Sequence, residues 1–374
     1  MEQTIWNIHV DRGFLIAPDP AETLPDLHPD LAEVMRVAAQ TQDLLEAHAL
    51  RTTLDELPMA DTSIVQGWHH VERLMQAYSY LASSYIYAPD EPSISRIPAS
   101  VAVPFVALAK RVQRPPILSY SGYVLNNWRR INLSGEIALG NIETIQHFRG
   151  GRDENWFILV HVDIEARAAS ALQGIQTAVM AAQDRDLQQL EISLEKVATS
   201  LEQMIVSFHR MPEQCDSDIY YWKVRPYIFS FTDVVYEGVA EFEGKPQSFR
   251  GQTGAQSSIV PTLVAALGLR HEQSGLTQHL DIMKAYMPVP HREFIAQMSH
   301  STVRAVVLNS HSPTLSDIYN LCLQRVLEFR RLHFHYATTY IAQKVADPVG
   351  TGGTIFMNWL VQLADETEAQ LIPN

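Results

Sequence analysis

Cysteine is almost missing from this chain: Cys215 and Cys322 are the only two in 374 residues. They lie far apart and form no Cys-x-x-Cys pair. That excludes a disulfide scaffold and a cysteine-rich zinc site, and it fits a reducing compartment. Basic residues are also short, 28 Lys and Arg against 42 Asp and Glu, for a formal charge of −14. A long-range negative field repels nucleic acid and an anionic membrane face, so neither is an expected partner. The field is an average and leaves room for one basic pocket. Long apolar runs are lacking too: the longest, residues 101–109, contains Pro104 and is too short to cross a bilayer. The N-terminus carries Glu2 and Asp11, with no basic stretch leading into an apolar one. No secretory signal is expected, and the cytoplasm is the default location.

Common catalytic signatures are absent as well. Gly-x-Gly-x-x-Gly does not occur, so a dinucleotide-binding fold loses its fingerprint. No glycine is followed two residues later by serine, which removes the nucleophile elbow. No glutamate is followed three residues later by histidine, as di-iron bundles require, and His-Glu-x-x-His is missing.

What is present is an ordinary globular composition, 46% hydrophobic and 19% charged, with fifteen histidines. Apolar spacing predicts helices over residues 31–50, 65–85, 156–182, 184–209, 288–307 and 316–344. Alternation typical of strands is scarce; residues 227–231 are the best candidate and suit a helix equally. The chain is expected to be all-α. Six prolines between Pro89 and Pro116 mark a junction, because proline removes a backbone donor and bars the preceding residue from helical geometry. A small N-terminal helical domain (1–105) and a larger C-terminal one (106–374) are expected on either side. Residues 242–258 and 346–354 read as irregular. Many histidines in a helical chain point to a cofactor held between helices.

The last long helix shows where one could sit. Cys322, Val326, Phe329, His333, Tyr336, Ala337 and Tyr340 recur at three and four residues and form one stripe. His333 is therefore expected on the buried face of the helix. His335 projects about 200° away and cannot share a metal with it. Arg330, one turn earlier, can reach an anionic group beside a cofactor. A lone imidazole on an apolar helix face is what axial haem ligation needs. A core histidine satisfied by a hydrogen bond has the same periodicity, and the helix alone does not separate the two.

Several segments resemble the indoleamine 2,3-dioxygenase family: Phe249-Arg-Gly-Gln-Thr-Gly-Ala-Gln-Ser-Ser258, Met287-Pro-Val-Pro-His-Arg-Glu-Phe294, Arg330-Arg-Leu-His333 and Gly350-Thr-Gly-Gly-Thr354. Pro116-Ile-Leu-Ser-Tyr120 and Val124-Leu-Asn-Asn-Trp128 match upstream. These pieces occur in the family's order from about residue 115 to 359; the first hundred residues match mainly in length and helical texture. The resemblance implies a haem b cofactor in the larger domain, O2 as co-substrate, an electron donor, and oxidative opening of an indole ring. With L-tryptophan the product is N-formylkynurenine.

Carried over by position, the resemblance makes His333 the iron ligand and Arg330 a neighbour of the haem edge. Arg225 falls on the arginine that grips a substrate carboxylate, a task suited to its planar fork; surface pairing is the commoner fate of an arginine. Phe157 matches the aromatic packed on the indole. His161, one turn on, stands where animal members have serine and tryptophan 2,3-dioxygenases a histidine; it is the catalytic candidate, able to accept the indole N–H. Tyr120 and Tyr123 match pocket-lining positions, and Thr253 and Gly254 the loop beside the iron. Thr351 matches a lid threonine facing the substrate ammonium, although a flexible linker has the same composition. Tyr220, Gln252 and Val264 depart from the pattern, the last where animal members carry an aspartate near the haem-edge arginine. Two other readings stay open: a related haem oxygenase acting on another indole or aromatic, and a non-catalytic haem or gas-binding protein.

Overall fold

The computed structural model describes residues 7–346, 348–353 and 357–373. Glu2, Asp347 and Thr354, used in the sequence reading, lie outside them.

The chain is predominantly helical. Near the N-terminus the expected helix over 31–50 is split into α1 (Pro29–Ala39) and two short helices, Thr41–Glu46 and Leu50–Asp55. His48 between them takes a positive φ of 51°, which no helix tolerates. α2 (Trp68–Ile86) is buried along nearly its whole length. The proline-marked stretch is more than a junction: α3 (Ala99–Val112) occupies its middle, carries Pro104 internally and runs through position 105/106. Burial of Val101, Phe105 and Leu108 against α2 outweighs the hydrogen bond that Pro104 cannot donate.

The expected helix over 156–182 is two, α4 (Arg152–Arg167) and α5 (Ala169–Asp184), meeting at Ala168. α6 (Leu187–His209) follows, its N-terminus capped by the Asp186 side chain accepting from the Gln189 N–H. Then come α7 (Ile259–Ala266) and α8 (Gly275–Lys284), neither expected, and α9 (Val289–Met298) with α10 (Val303–Ser310), expected as one. α11 (Pro313–Tyr340) is the longest helix at 28 residues and packs on α6. α12 (Met357–Glu368), also unexpected, lies along α11.

Strands are few. β1 (Arg96–Ile97) runs parallel to β4 (Phe231–Tyr236), which pairs antiparallel with β5 (Gln247–Phe249). β2 (Arg129–Arg130) and β3 (Ile142–Glu143) form a second, two-stranded sheet. The ambiguous residues 227–231 end a short 3₁₀ turn and begin β4.

Buried apolar side chains form two clusters. One joins α1–α3 to β4; the other joins α5–α7 and α9–α11. α4 feeds both, with Ile158 and Val162 in the first and Trp156, Val160 and Ile164 in the second. A helix buried on both sides is held on both sides, so side chains leaving its remaining face are well positioned. Phe157 and His161 leave from that face.

Candidate active site

A cavity of about 710 Å³ opens between α4, α6, α11 and the loops before α7 and α12. Tyr120, Phe157, His161, Tyr220, Thr253, Gly254, Arg330, His333 and Thr351 all line it. Nine positions drawn from six separate stretches of sequence converge on one space.

His333 projects from α11 and is exposed rather than buried as expected, because it lines the open cavity instead of packing into the core. Desolvation, with His161 nearby, pushes its pKa down to about 4, so the imidazole is neutral and offers a lone pair. Phe208 is 6.4 Å from each of His161 and His333, ring centroid to centroid. His335 is exposed, on the side away from the cavity. Among the described residues no three His, Cys, Asp or Glu side chains gather as a metal-ligand cluster.

His161 has a defined tautomer. Its Nδ1 lies 2.7 Å from the Phe157 carbonyl oxygen. A carbonyl only accepts, so Nδ1 carries the proton and Nε2 keeps the lone pair. Burial lowers the pKa of this ring too, which keeps it neutral. The Phe157 ring is 4.6 Å from His161 and stacks on Tyr220 at 4.5 Å. Tyr220 belongs to a wide π-helical turn (Tyr220–Val224), and Tyr123 to another (Ser121–Leu125). Such turns re-aim side chains that a regular helix would point elsewhere.

Two expected substrate contacts stand behind the wall. Tyr123 is fully buried, 6.3 Å from the Phe157 ring, with its hydroxyl unpartnered. Arg225, 2% exposed, packs its guanidinium 4.6 Å from the Phe229 ring and 5.0 Å from that of Tyr221. It donates to the Val349 carbonyl, and its Nε has no partner. Neither lines the cavity.

The glycine loop is seated on the site. Thr351 Oγ1 donates to the Gln252 carbonyl at 2.5 Å, and the Thr351 carbonyl accepts from both the Ser230 N–H and hydroxyl. Arg250 donates to the Gly352 carbonyl. Gly251 makes the crossing possible: a Cβ there would lie 2.3 Å from the Ile228 oxygen. Gly254 has nothing within 4 Å of that position, which leaves the cavity wall open.

Sequence reasoning missed four neighbours. Phe208, His271 and His279 line the cavity, and their types carry no signal of it. Glu165, one turn after His161, is 0% exposed and accepts from Ser257 at 2.8 Å, with Tyr120 beside it. Desolvation pushes its pKa up to about 7. The i+4 spacing from His161 was the available clue. Gln252 and Val264 both line the cavity. With valine at 264, Arg330 is paired by groups from other elements, His271 among them.

Two neutral imidazoles, His161 and His333, and the buried guanidinium of Arg330 line a mostly apolar cavity beside a glycine-bearing loop, which defines a helical protein with a candidate ligand site. The comparisons agree. The profile for "Indoleamine 2,3-dioxygenase" matches residues 2–347, and the chain belongs to that family. Indoleamine 2,3-dioxygenase 1 of Mus musculus is 31% identical, covering 98% of this chain and 95% of its own. The Saccharomyces cerevisiae indoleamine 2,3-dioxygenase is 29% identical over 87% and 84%. A myoglobin of Haliotis madaka is 26% identical over 97% of both chains.

Proposed function

We propose that this protein is a haem-dependent dioxygenase that converts L-tryptophan to N-formylkynurenine in a reducing cytoplasm, served by an electron donor. The observation that carries the reading is His333, a neutral imidazole at the wall of a cavity that His161, with Nε2 as its acceptor nitrogen, also lines. The chain's residues fit haem b: His333 has a lone pair for iron, and the Nε–H of Arg330 is buried without a partner, as a docking edge for a carboxylate. Bound haem supplies the redox centre that brings both atoms of O2 onto the indole C2–C3 bond.

The chain's own residues do the rest. Phe157 and Tyr220 form an aromatic shelf for the indole, and Tyr120 closes an adjoining wall. Nε2 of His161 accepts the indole N–H and fixes the ring's orientation. Arg225 holds the substrate carboxylate once it exchanges the Val349 carbonyl for that anion, a stronger partner for a guanidinium. Thr351 holds the ammonium group, and its loop keeps water out, with Thr253 and Gly254 flanking the reacting face.

The myoglobin relative favours a second reading, a non-catalytic haem protein that binds gas. That function requires neither Arg225 nor Thr351. Tyr220 favours a third, a haem oxygenase that takes a substituted indole. One assay separates the three. The purified protein is reduced and given L-tryptophan and O2, and near-ultraviolet absorbance of N-formylkynurenine is followed. Product formation supports the first reading; gas binding without product supports the second; turnover of another indole alone supports the third.

A further inference from the structure

Arg330 is held by an arrangement that motif comparison does not reveal. Its Nη1 donates to the Leu363 carbonyl at 2.7 Å and to the Thr367 hydroxyl, both on α12. Its Nη2 lies 3.2 Å from Nε2 of His271, in the loop before α8. A guanidinium only donates, so Nε2 of His271 is the acceptor and its proton sits on Nδ1. That Nδ1–H meets the Glu366 carboxylate at 2.5 Å. The sequence Glu366–His271–Arg330 is thus a directed chain, carboxylate to imidazole to guanidinium, with one charge of each sign at its ends. It holds together α11, α12 and the loop before α8.

Donor counting shows what the chain leaves free. A guanidinium has five N–H groups. Both on Nη1 and one on Nη2 are used, leaving Nε–H and the second Nη2–H. Nε and Nη2 lie on one edge of the plane, the edge that fits a carboxylate with two parallel bonds. Nε is buried and has no partner, while Arg330 itself lines the cavity one turn from His333.

We infer that His271, Glu366 and Thr367 are positioning residues for the cofactor: they fix Arg330 so that its Nε/Nη2 edge receives a haem carboxylate. This rests on the haem reading above. A free arginine would have to immobilise several rotors on binding; here folding has already done so. The carboxylate that balances the buried guanidinium stands one residue removed, behind His271, and so does not compete for the docking edge. α12 thereby becomes part of cofactor retention although it supplies no ligand to iron.

The test is haem loss from the ferric holoprotein to excess apomyoglobin, followed in the Soret region. Glu366→Gln and His271→Ala should each speed loss about tenfold, the scale on which outer-shell partners act. Because the same chain ties α12 to α11, the apoprotein melting temperature should fall in both variants. His271→Gln, whose amide can both accept from Arg330 and donate to Glu366, should fall between wild type and His271→Ala. Loss rates within twofold of wild type overturn the inference, as does a His271→Gln variant that loses haem as fast as His271→Ala. Absence of a Soret band in the wild type overturns the haem reading itself. A wild type that loads normally, with Arg330→Ala fast and the His271 and Glu366 variants unaffected, sinks only the positioning role.

Discussion

The two sides of the cavity are built differently. The His333 side is one long helix, α11, packed on α6 and along α12, with its cation locked by a chain of side chains. The opposite side is assembled from α4, two π-turns and two glycine-bearing loops, joined by a handful of hydrogen bonds such as Thr351 to Gln252 and Arg225 to Val349. On the proposed function, the first side holds a prosthetic group and the second admits and releases a substrate on each turnover. Dense packing resists opening, whereas loops held by few bonds open at small cost.

Breaking the rigid side should have the largest effect. His333→Ala should abolish axial ligation, and a normal five-coordinate ferrous spectrum in that variant would falsify the ligand assignment. On the opposite side, Arg225→Leu should lower kcat/KM for tryptophan about tenfold to a hundredfold, the worth of a charge-assisted hydrogen bond. The loss should fall mainly in KM. Steady-state kinetics with tryptophan and with indole derivatives lacking the carboxylate check this; an equal loss for both would remove Arg225 from the substrate site.

Glu165 sharpens the comparison through pH. Its folded pKa, about 7, lies above the ordinary value of 4.5. The folded state therefore binds the extra proton, and stability present below pH 4.5 declines as pH rises through 7. The full cost is on the order of 3 kcal/mol. Glu165→Gln should gain on wild type between pH 5 and pH 8 in denaturant titrations of the apoprotein. Parallel curves at both pH values would contradict a buried carboxyl with a raised pKa.

Two glycines of one loop should behave oppositely. Gly251→Ala drives a Cβ into the Ile228 carbonyl and should cost about 1–3 kcal/mol. Gly254→Ala meets open space and should stay within about 0.5 kcal/mol of wild type. Thermal melts decide. The smallest effect concerns His161→Ser, which should reduce the preference for tryptophan over its N1-methyl form about fivefold, the worth of one neutral hydrogen bond. If the wild type turns over both at the same rate, His161 does not receive the indole N–H.

The difference between the two sides also explains what could be read in advance. The stripe through Cys322, His333 and Tyr340 marks α11 because one face of a long helix repeats every three to four residues. Phe157 and His161 were legible as a pair for the same reason. The Glu366–His271–Arg330 chain was not legible, since its members are 36 to 95 residues apart and no periodicity links them. α7, α8 and α12 went unseen because short helices in glycine- and proline-containing stretches carry a weak local signal. Pro104 misled for a related reason: its local cost is small beside the burial of α3.

The sequence by itself determined a predominantly helical chain, ruled out the common nucleotide and hydrolase motifs, and set His333 on an apolar stripe, because each of these depends on neighbours along the chain. Only the tertiary structure decided that Arg225 and Tyr123 stand behind the cavity wall, and how Arg330 is held. Those outcomes depend on burial and on hydrogen-bond partners from distant segments, and the fold alone brings such groups within 3 Å of one another.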